Sequence, residues 1–328
     1  MQPFRPLVRN PHILTILANF AVRQLDTNRY PVTEKLYDVG DAQVLVHEHR
    51  PPGAAKAEII LIHGLEGSSD AGYIRSMSQL ALENGYAVHR SNMRSCGGTE
   101  SLCKTMYHAG LTGDTKKVIW QIRQHTNNPI YLIGYSLGGN VALKLAGELG
   151  EEAQDLLEGV IAVSTPIDLA ASVRKMSRRE NWIYESRFLS RLKERIRRRA
   201  QSLPGVYDLA ALVRCRSVYE FDDKITAPSF DFGSADNYYA TQSSKQFLEH
   251  IKIPALLIQA KDDPLIPFEI FEDAAIRNND NITFIAVDHG GHLGFIADRP
   301  PRFWVDRIVL GWLEQTRNKA PQILVSSA

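Results

Sequence analysis

Ser136 stands between two glycines in Gly134-Tyr135-Ser136-Leu137-Gly138, after the apolar run 130–133 and before the helix-forming residues 141–145. Gly-x-Ser-x-Gly at a strand-to-helix junction is the nucleophile-elbow pattern. Its physical basis is steric. A chain that turns sharply from strand into helix at the serine leaves no room for a Cβ at either glycine, and the turn pushes the serine hydroxyl into the open. The helix that follows aims its free N-terminal amides at the same place.

A serine hydroxyl is a weak nucleophile at neutral pH and needs a base, which in turn needs an orienting carboxylate. On a strand–turn–helix elbow the chain order is serine, acid, histidine. Downstream of Ser136, the strand-like run 255–260 ends in Lys261-Asp262-Asp263-Pro264-Leu265-Ile266-Pro267. Asp263 is favoured over Asp262 as the orienting acid, because the flanking prolines place it at the tip of the loop. Both carboxylates could otherwise simply cap the segment starting near Phe268. The next strand-like run, 282–287, ends in Asp288-His289-Gly290-Gly291-His292. His292 is favoured as the base, since the glycines let it swing toward Ser136; His289, nearer the strand, is expected to make a structural hydrogen bond.

Attack by a serine on an acyl carbon creates an oxyanion, which needs preorganised N–H donors. The amide of Leu137 is one expected donor. Leu65, in His63-Gly64-Leu65-Glu66-Gly67 after the third strand, is assigned as the other. His63 is expected to brace that loop, and Glu66, Ser68 and Ser69 to tie it or cap the next helix.

These residues must be positioned by a scaffold, and its elements are legible. Residues 35–39 and 43–49 alternate like a hairpin around Gly40-Asp41. The runs 58–63, 86–93, 130–135, 159–165, 255–260 and 282–287 read as strands, most of them continuously apolar and so buried on both faces. Helical patterns at 71–84, 112–125, 137–149, 268–278 and 302–317 fall between and after them. The alternation predicts a mostly parallel eight-stranded sheet flanked by helices, with right-handed crossovers placing helices on both faces. Residues 1–167 and 251–328 form the expected core, 1–30 being an N-terminal arm. Residues 168–250 contain no apolar strand run and read as a helical cap inserted between the sixth and seventh strands. Within that cap, residues 174–199 carry eleven Lys/Arg against three Glu, and Phe188, Leu189, Leu192 and Ile196 fall at helical spacing. This is an expected amphipathic basic helix. It reads as a solvated face whose apolar stripe covers an acyl pocket, with weak contact to an anionic membrane surface or a phosphorylated lipid headgroup as the alternative.

Composition narrows the classes further. The chain has 328 residues, 44% hydrophobic and 23% charged, with net charge +1, which gives no global signal for nucleic acid. The three cysteines, Cys96, Cys103 and Cys215, lack metal or disulfide spacing and point to a reducing, cytoplasmic setting with inert buried thiols. No run of 18 apolar residues is present, and prolines crowd the apolar segment 13–22, so a packed arm is expected there rather than a leader or a membrane span. No H-E-x-x-H, P-loop or G-x-G-x-x-G occurs, so no metal or organic cofactor is implied. Oligomeric state is not legible.

Taken together, "HGLEGSS" (63–69), "NMRSCGGT" (92–99), "YHAGLTGD" (107–114), "GYSLGGN" (134–140), "DDPLIP" (262–267) and "GGHLGF" (290–295) resemble the YheT-like branch of the α/β-hydrolases, which is similar to the mammalian ABHD esterases and lipases. The opening residues 4–16 resemble that family's N-terminal arm. The resemblance implies an α/β-hydrolase fold, a Ser136-Asp263-His292 triad and a small-molecule or lipid carboxylic ester as substrate. Ser95 stands where the pattern leads one to expect glycine after Arg94, so the turn there should differ. His108 and Asp114 match the family and are expected to hold the segment entering the helix at Thr112, with Arg94 and Cys96 organising the loop after the fourth strand. The expected activity is serine-ester hydrolysis through an acyl-enzyme. The alternatives are acyl transfer from the same intermediate, or a hydrolase-fold binding protein.

Overall fold

The computed structural model describes residues 3–319. Among them, eight strands form one sheet: β1 (Thr33–Asp38), β2 (Gln43–His49), β3 (Glu58–Ile62), β4 (Ala87–Ser91), β5 (Ile130–Tyr135), β6 (Gly159–Val163), β7 (Ala255–Ala260) and β8 (Ile282–Val287). Their spatial order is β1-β2-β4-β3-β5-β6-β7-β8. β1 and β2 pair antiparallel, as do β2 and β4, and every other pairing is parallel. Strands β3 to β7 are buried throughout, which is why β3 and β5 to β7 read as apolar runs; β4 is equally buried but carries His89, Arg90 and Ser91, and β8 at the sheet edge is only partly buried.

The pleat divides the core in two. Ile60, Ile62, Leu132, Val160 and Ala162 face the side covered by α3 (Thr112–Arg123) and α4 (Leu137–Leu149). Their neighbours Ile59, Leu61, Ile133, Ile161 and Val163 face α2 (Gly72–Glu83) and a C-terminal helix, Trp304–Lys319. Each of the Ile, Leu and Val side chains among them, almost wholly removed from water, stabilises the fold by about 1.5–3 kcal/mol before entropy is charged. Before β1 lies α1 (Pro11–Phe20), capped by the Asn10 side chain and packed through Leu14 and Ala18.

After the short α5 (Ala153–Leu156) and β6, the segment leading to β7 is helical. It contains α6 (Leu169–Met176), α7 (Trp182–Ser202), α8 (Leu209–Arg214), α9 (Val218–Phe221), α10 (Ala227–Ser229) and α11 (Ala235–Gln242). The basic stretch is therefore not one helix. It breaks at Ser177, the C-cap of α6, and a short 3-10 turn at Arg179–Asn181 leads into α7. Nor is its charged face wholly solvated: Arg195 and Arg199 are buried, the latter completely. The stripe Leu189, Leu192 and Ile196 is buried as its spacing predicts. The expected helix 268–278 is likewise split, into a 3-10 turn (Phe268–Phe271) and α12 (Ala274–Asn278), with the Asp273 side chain capping the second piece. The C-terminal helix Trp304–Lys319 is α13. Among the described residues, no helix is long and apolar enough to cross a membrane.

The carboxyl ends of β3, β5, β6, β7 and β8 all open on one edge of the sheet, where parallel α/β sheets place their ligands.

Candidate active site

Ser136 occupies the junction of β5 and α4 with φ 52° and ψ −123°. That backbone is strained for a residue with a Cβ, and the glycines around it have no space to spare. A Cβ on Gly134 would lie 2.1 Å from the Gly138 carbonyl oxygen, and one on Gly138 would lie 2.5 Å from the His63 carbonyl oxygen. The Ser136 amide is anchored to the Val163 carbonyl of β6 at 2.8 Å.

Ser136, His292 and Asp263 form a hydrogen-bonded line. His292 Nε2 is 3.0 Å from Ser136 Oγ, and His292 Nδ1 is 2.9 Å from Asp263 Oδ2. With Nδ1–H donating to the carboxylate, Nε2 is left to accept the serine proton. Asp263 is fully buried. Its Oδ1 accepts from the Leu265 and Ile266 amides at 2.8 and 3.1 Å, and its Oδ2 also accepts from Gln259 Nε2 at 3.1 Å. Four donors on one carboxylate hold it in place and compensate its loss of water. The neighbouring pair is separate. His289 Nδ1 lies 3.2 Å from Asp262 Oδ2, and Asp262 Oδ1 accepts from the Gly291 amide at 2.9 Å. Asp262 and His289 thus brace the loop that carries His292, and do not cap the segment at Phe268.

Several supports of this line have no local signal in the sequence. The amide of His292 donates to Thr15 Oγ1 at 2.9 Å, across 277 positions of chain. Gly291, at φ 57°, leaves room for α1: a Cβ there would lie 2.5 Å from the Pro11 carbonyl oxygen. The Leu293 amide donates to Ser164 Oγ at 3.2 Å, and Lys175 Nζ of α6 donates to the Asp263 carbonyl at 2.6 Å.

The loop after β3 is pinned on both sides of Leu65. The Gly64 amide donates to the Tyr73 hydroxyl and the Glu66 amide to the Tyr107 hydroxyl, each at 2.9 Å. Among the described residues, no protein acceptor takes the Leu65 amide, while Leu137, as the first residue of α4, has an amide outside the helical ladder. Gly64 is so near the elbow that a Cβ on it would sit 2.9 Å from Ser136 Cβ. His63 is buried and lies between the Gly64 carbonyl, 2.8 Å from Nδ1, and the Met93 amide, 3.1 Å from Nε2. Burial lowers its pKa to about 4, so it is neutral and structural.

Glu66 itself adopts a left-handed backbone, φ 54°. Its carboxylate receives Arg195 of α7 in a two-pronged pair, Nε to Oε1 at 2.9 Å and Nη2 to Oε2 at 3.1 Å, and the Tyr107 hydroxyl at 2.8 Å. Arg195 also donates to the Ser95 carbonyl. Ser95 is left-handed too, φ 62°, with its hydroxyl buried and unpartnered, which accounts for the glycine expected there. Arg94 bridges Asp114 and Asp41, with Nη2 at 2.6 and 2.9 Å from them, and so ties the loop after β4 to the start of α3. Cys96 is buried, and burial pushes its thiol up to about 12.

Two concavities meet at Ser136 and His292. The first is a narrow cavity of about 90 Å³, with Leu65, Met106, Val173, Met176, Leu192 and Tyr238 among its apolar walls. His108 also lines it; burial drives its pKa down to about 3, so it is a neutral wall residue. The second is an open groove of about 730 Å³ between α1, the Leu65 loop and α7. Among the described residues, no group of three His, Cys, Asp or Glu is arranged to hold a metal.

Residues 58–298 match the family described as alpha/beta hydrolase fold. YheT of Escherichia coli (strain K12) is 31% identical over 93% of this chain and 90% of its own length. The monoacylglycerol lipase of Saccharomyces cerevisiae is 28% identical over 76% of this chain, and phospholipase ABHD3 of Mus musculus 26% over 78%. The matches span 57% and 62% of those two longer proteins. In structure, the Pyrococcus furiosus esterase Pf2001 superposes over 96% of this chain and 98% of its own, with TM-score 0.60 at 16% identity, a likeness of fold alone. The strand order, the elbow and the span of these matches lead to one assignment: the chain belongs to the α/β-hydrolase fold family, in its YheT-like branch.

Proposed function

We propose that the protein is a serine esterase that cleaves carboxylic esters through an acyl-enzyme. The observation that carries this reading is the unbroken line Ser136 Oγ–His292 Nε2–Asp263 at 3.0 and 2.9 Å, with the Leu65 and Leu137 amides free beside it. His292 takes the Ser136 proton as Oγ attacks the ester carbonyl. Asp263 holds the imidazole in the needed tautomer and stabilises its charged form. The Leu65 and Leu137 amides stabilise the oxyanion. The alkoxy oxygen departs with the proton from His292, and water, deprotonated by the same histidine, releases the acid and regenerates Ser136.

In this reading residues 168–250 serve as a cap, and the narrow apolar cavity takes a short or medium acyl chain. The alcohol half lies in the open groove. No cofactor is required by this chemistry, and the three unpaired cysteines fit a cytoplasmic enzyme. Relatives named as lipases and phospholipases support an ester or lipid substrate.

The test is turnover of p-nitrophenyl esters from acetyl to dodecanoyl. Ser136→Ala should reduce kcat by roughly 10⁴-fold or more with the fold retained. Labelling by a fluorophosphonate at any residue other than Ser136 refutes the assignment. Acyl transfer to an alcohol is the second reading. It is favoured by the likeness to the medium-chain fatty acid ethyl ester synthase/esterase 2 of Saccharomyces cerevisiae, 26% identical over 76% of this chain. Ester products formed with added ethanol would identify it.

A further inference from the structure

The groove that reaches Ser136 has unlike walls. On one side are Ile16, Ala18 and Phe20 of α1; on the other are Arg187, Arg191 and Arg198 of α7. Most cations of α7 are already engaged. Arg195 pairs with Glu66, Arg197 and Arg198 with Glu194, and Lys193 and Arg199 donate to backbone carbonyls. Among the described residues, Arg187 and Arg191 have neither a carboxylate within 4.0 Å nor a hydrogen bond. They are one turn apart, so they share a face of the helix. Partial burial, and then the charge of Arg191, lower the pKa of Arg187. The carboxylates that line the same groove, Glu66, Asp70 and Glu194, pair with Arg195, with Arg90, and with Arg197 and Arg198, so among the described residues Arg187 and Arg191 are two like charges on the groove wall without a paired carboxylate.

The cavity on the other side of Ser136 has the opposite character. Among the described residues its one carboxylate, Asp222, is satisfied by the Tyr239 hydroxyl at 2.6 Å and the Thr226 hydroxyl at 2.7 Å, and no Lys or Arg lines it. Because Ser136 lines both spaces, an ester with its acyl chain in the cavity must lay its alcohol half along the groove.

We propose that Arg187 and Arg191 form a subsite for an oxyanion, phosphate or carboxylate, carried on the alcohol half of the substrate. The proposal rests on the serine-esterase reading. The step is ordinary acyl transfer. The Ser136 Oγ–acyl carbon bond forms, the acyl carbon–alkoxy bond breaks, the serine proton passes through His292 to the alkoxy oxygen, and the anionic alcohol leaves. Guanidinium recognises both oxyanions, with two parallel N–H donors per group.

The test uses octanoyl esters of 1-propanol, glycolate and 2-hydroxyethyl phosphate, all below their aggregation concentration. The quantity read is the ratio of kcat/KM for each anionic ester to that for the propyl ester, after division by the ester's rate of alkaline hydrolysis. In the parent that ratio should be roughly tenfold or more, with the phosphate and carboxylate arms showing which oxyanion is preferred. It should fall several-fold in Arg187→Gln and Arg191→Gln, approach one in the double variant, and shrink from 50 to 500 mM NaCl. A parent ratio of one or less, or a ratio the double variant does not move, overturns the subsite. So does a preference that appears only when the esters sit in anionic vesicles, since the arginines would then serve a bilayer surface. Turnover that survives Ser136→Ala would refute the esterase reading instead. Octyl phosphate binding to the Ser136→Ala protein, by calorimetry, judges the subsite without turnover: affinity equal to that for octyl glucoside, or unaffected by the double variant, overturns it.

Discussion

Arg195→Met should both destabilise the protein and slow it, through one contact. Arg195 and Glu66 are almost completely buried, 6% and 3% exposed, and joined by bonds of 2.9 and 3.1 Å. Methionine keeps most of the length of the side chain and removes its charge. Among the described residues, Glu66 then retains only the Tyr107 hydroxyl, at 2.8 Å, as a donor to its carboxylate. Removing one partner of a buried ion pair typically costs about 3–5 kcal/mol, mostly the penalty of an uncompensated charge. A further loss of about 1 kcal/mol is expected from the Ser95 carbonyl. Glu66→Gln in the same background removes the stranded charge, and the double variant should regain at least half of the loss. Urea denaturation of the parent, the two single variants and the double variant gives the coupling energy directly. The catalytic effect follows from position. Glu66 adjoins Leu65, and its φ of 54° is sustained by these same bonds. Releasing them misplaces the Leu65 amide, proposed above as an oxyanion donor; complete loss of such a donor is worth ~10²–10³ in rate. A fall in kcat of about tenfold, with a smaller change in KM, is expected for Arg195→Met. The reasoning fails if that variant unfolds within about 1 kcal/mol of the parent and keeps its kcat, because α7 would then not hold the loop.

Three other outcomes can be stated. Gly134→Ala forces a Cβ to 2.1 Å from a backbone oxygen, so it should lose more than ~10²-fold in kcat and several kcal/mol in stability, measured together by ester assay and denaturation. Thr15→Val removes the acceptor for the His292 amide while keeping shape; it should cost about 1–3 kcal/mol and lower kcat more than it raises KM, and unchanged kinetics would exclude a positioning role for α1. Burial raises the Asp222 carboxyl to about 6. A carboxyl raised above its unfolded value penalises the folded state at pH above about 6, and the penalty fades as pH falls toward the unfolded pKa near 4. Asp222→Asn should therefore exceed the parent in Tm at pH 8 and lose that advantage by pH 4, and a gain independent of pH would contradict the assignment.

Much of the scaffold was legible because its signals are local. Continuous apolar runs marked β3 and β5 to β7 as buried on both faces, and Gly134 and Gly138 signalled a turn with no room for a Cβ. Asp263 and His292 could be placed at strand ends from their own flanking residues. The elements misread were those where capping or tertiary contact overrides periodicity. Asp273 restarts a helix that the pattern runs through, and the basic stretch breaks into two helices at Ser177. Two of its arginines are drawn into the interior because buried carbonyls and Glu66 await them there.

The sequence by itself determined the layers, the elbow, and which residue types could act on an ester. Those follow from steric exclusion and hydrophobic period, which operate over a few residues. Only the tertiary structure decided that Thr15 would hold the histidine loop, that Arg195 would bolt α7 to the strained Glu66, and that Arg187 and Arg191, without partners among the described residues, would line the groove that reaches Ser136. Each depends on which side chains, far apart in the chain, the fold brings within hydrogen-bonding reach of one another once water is excluded.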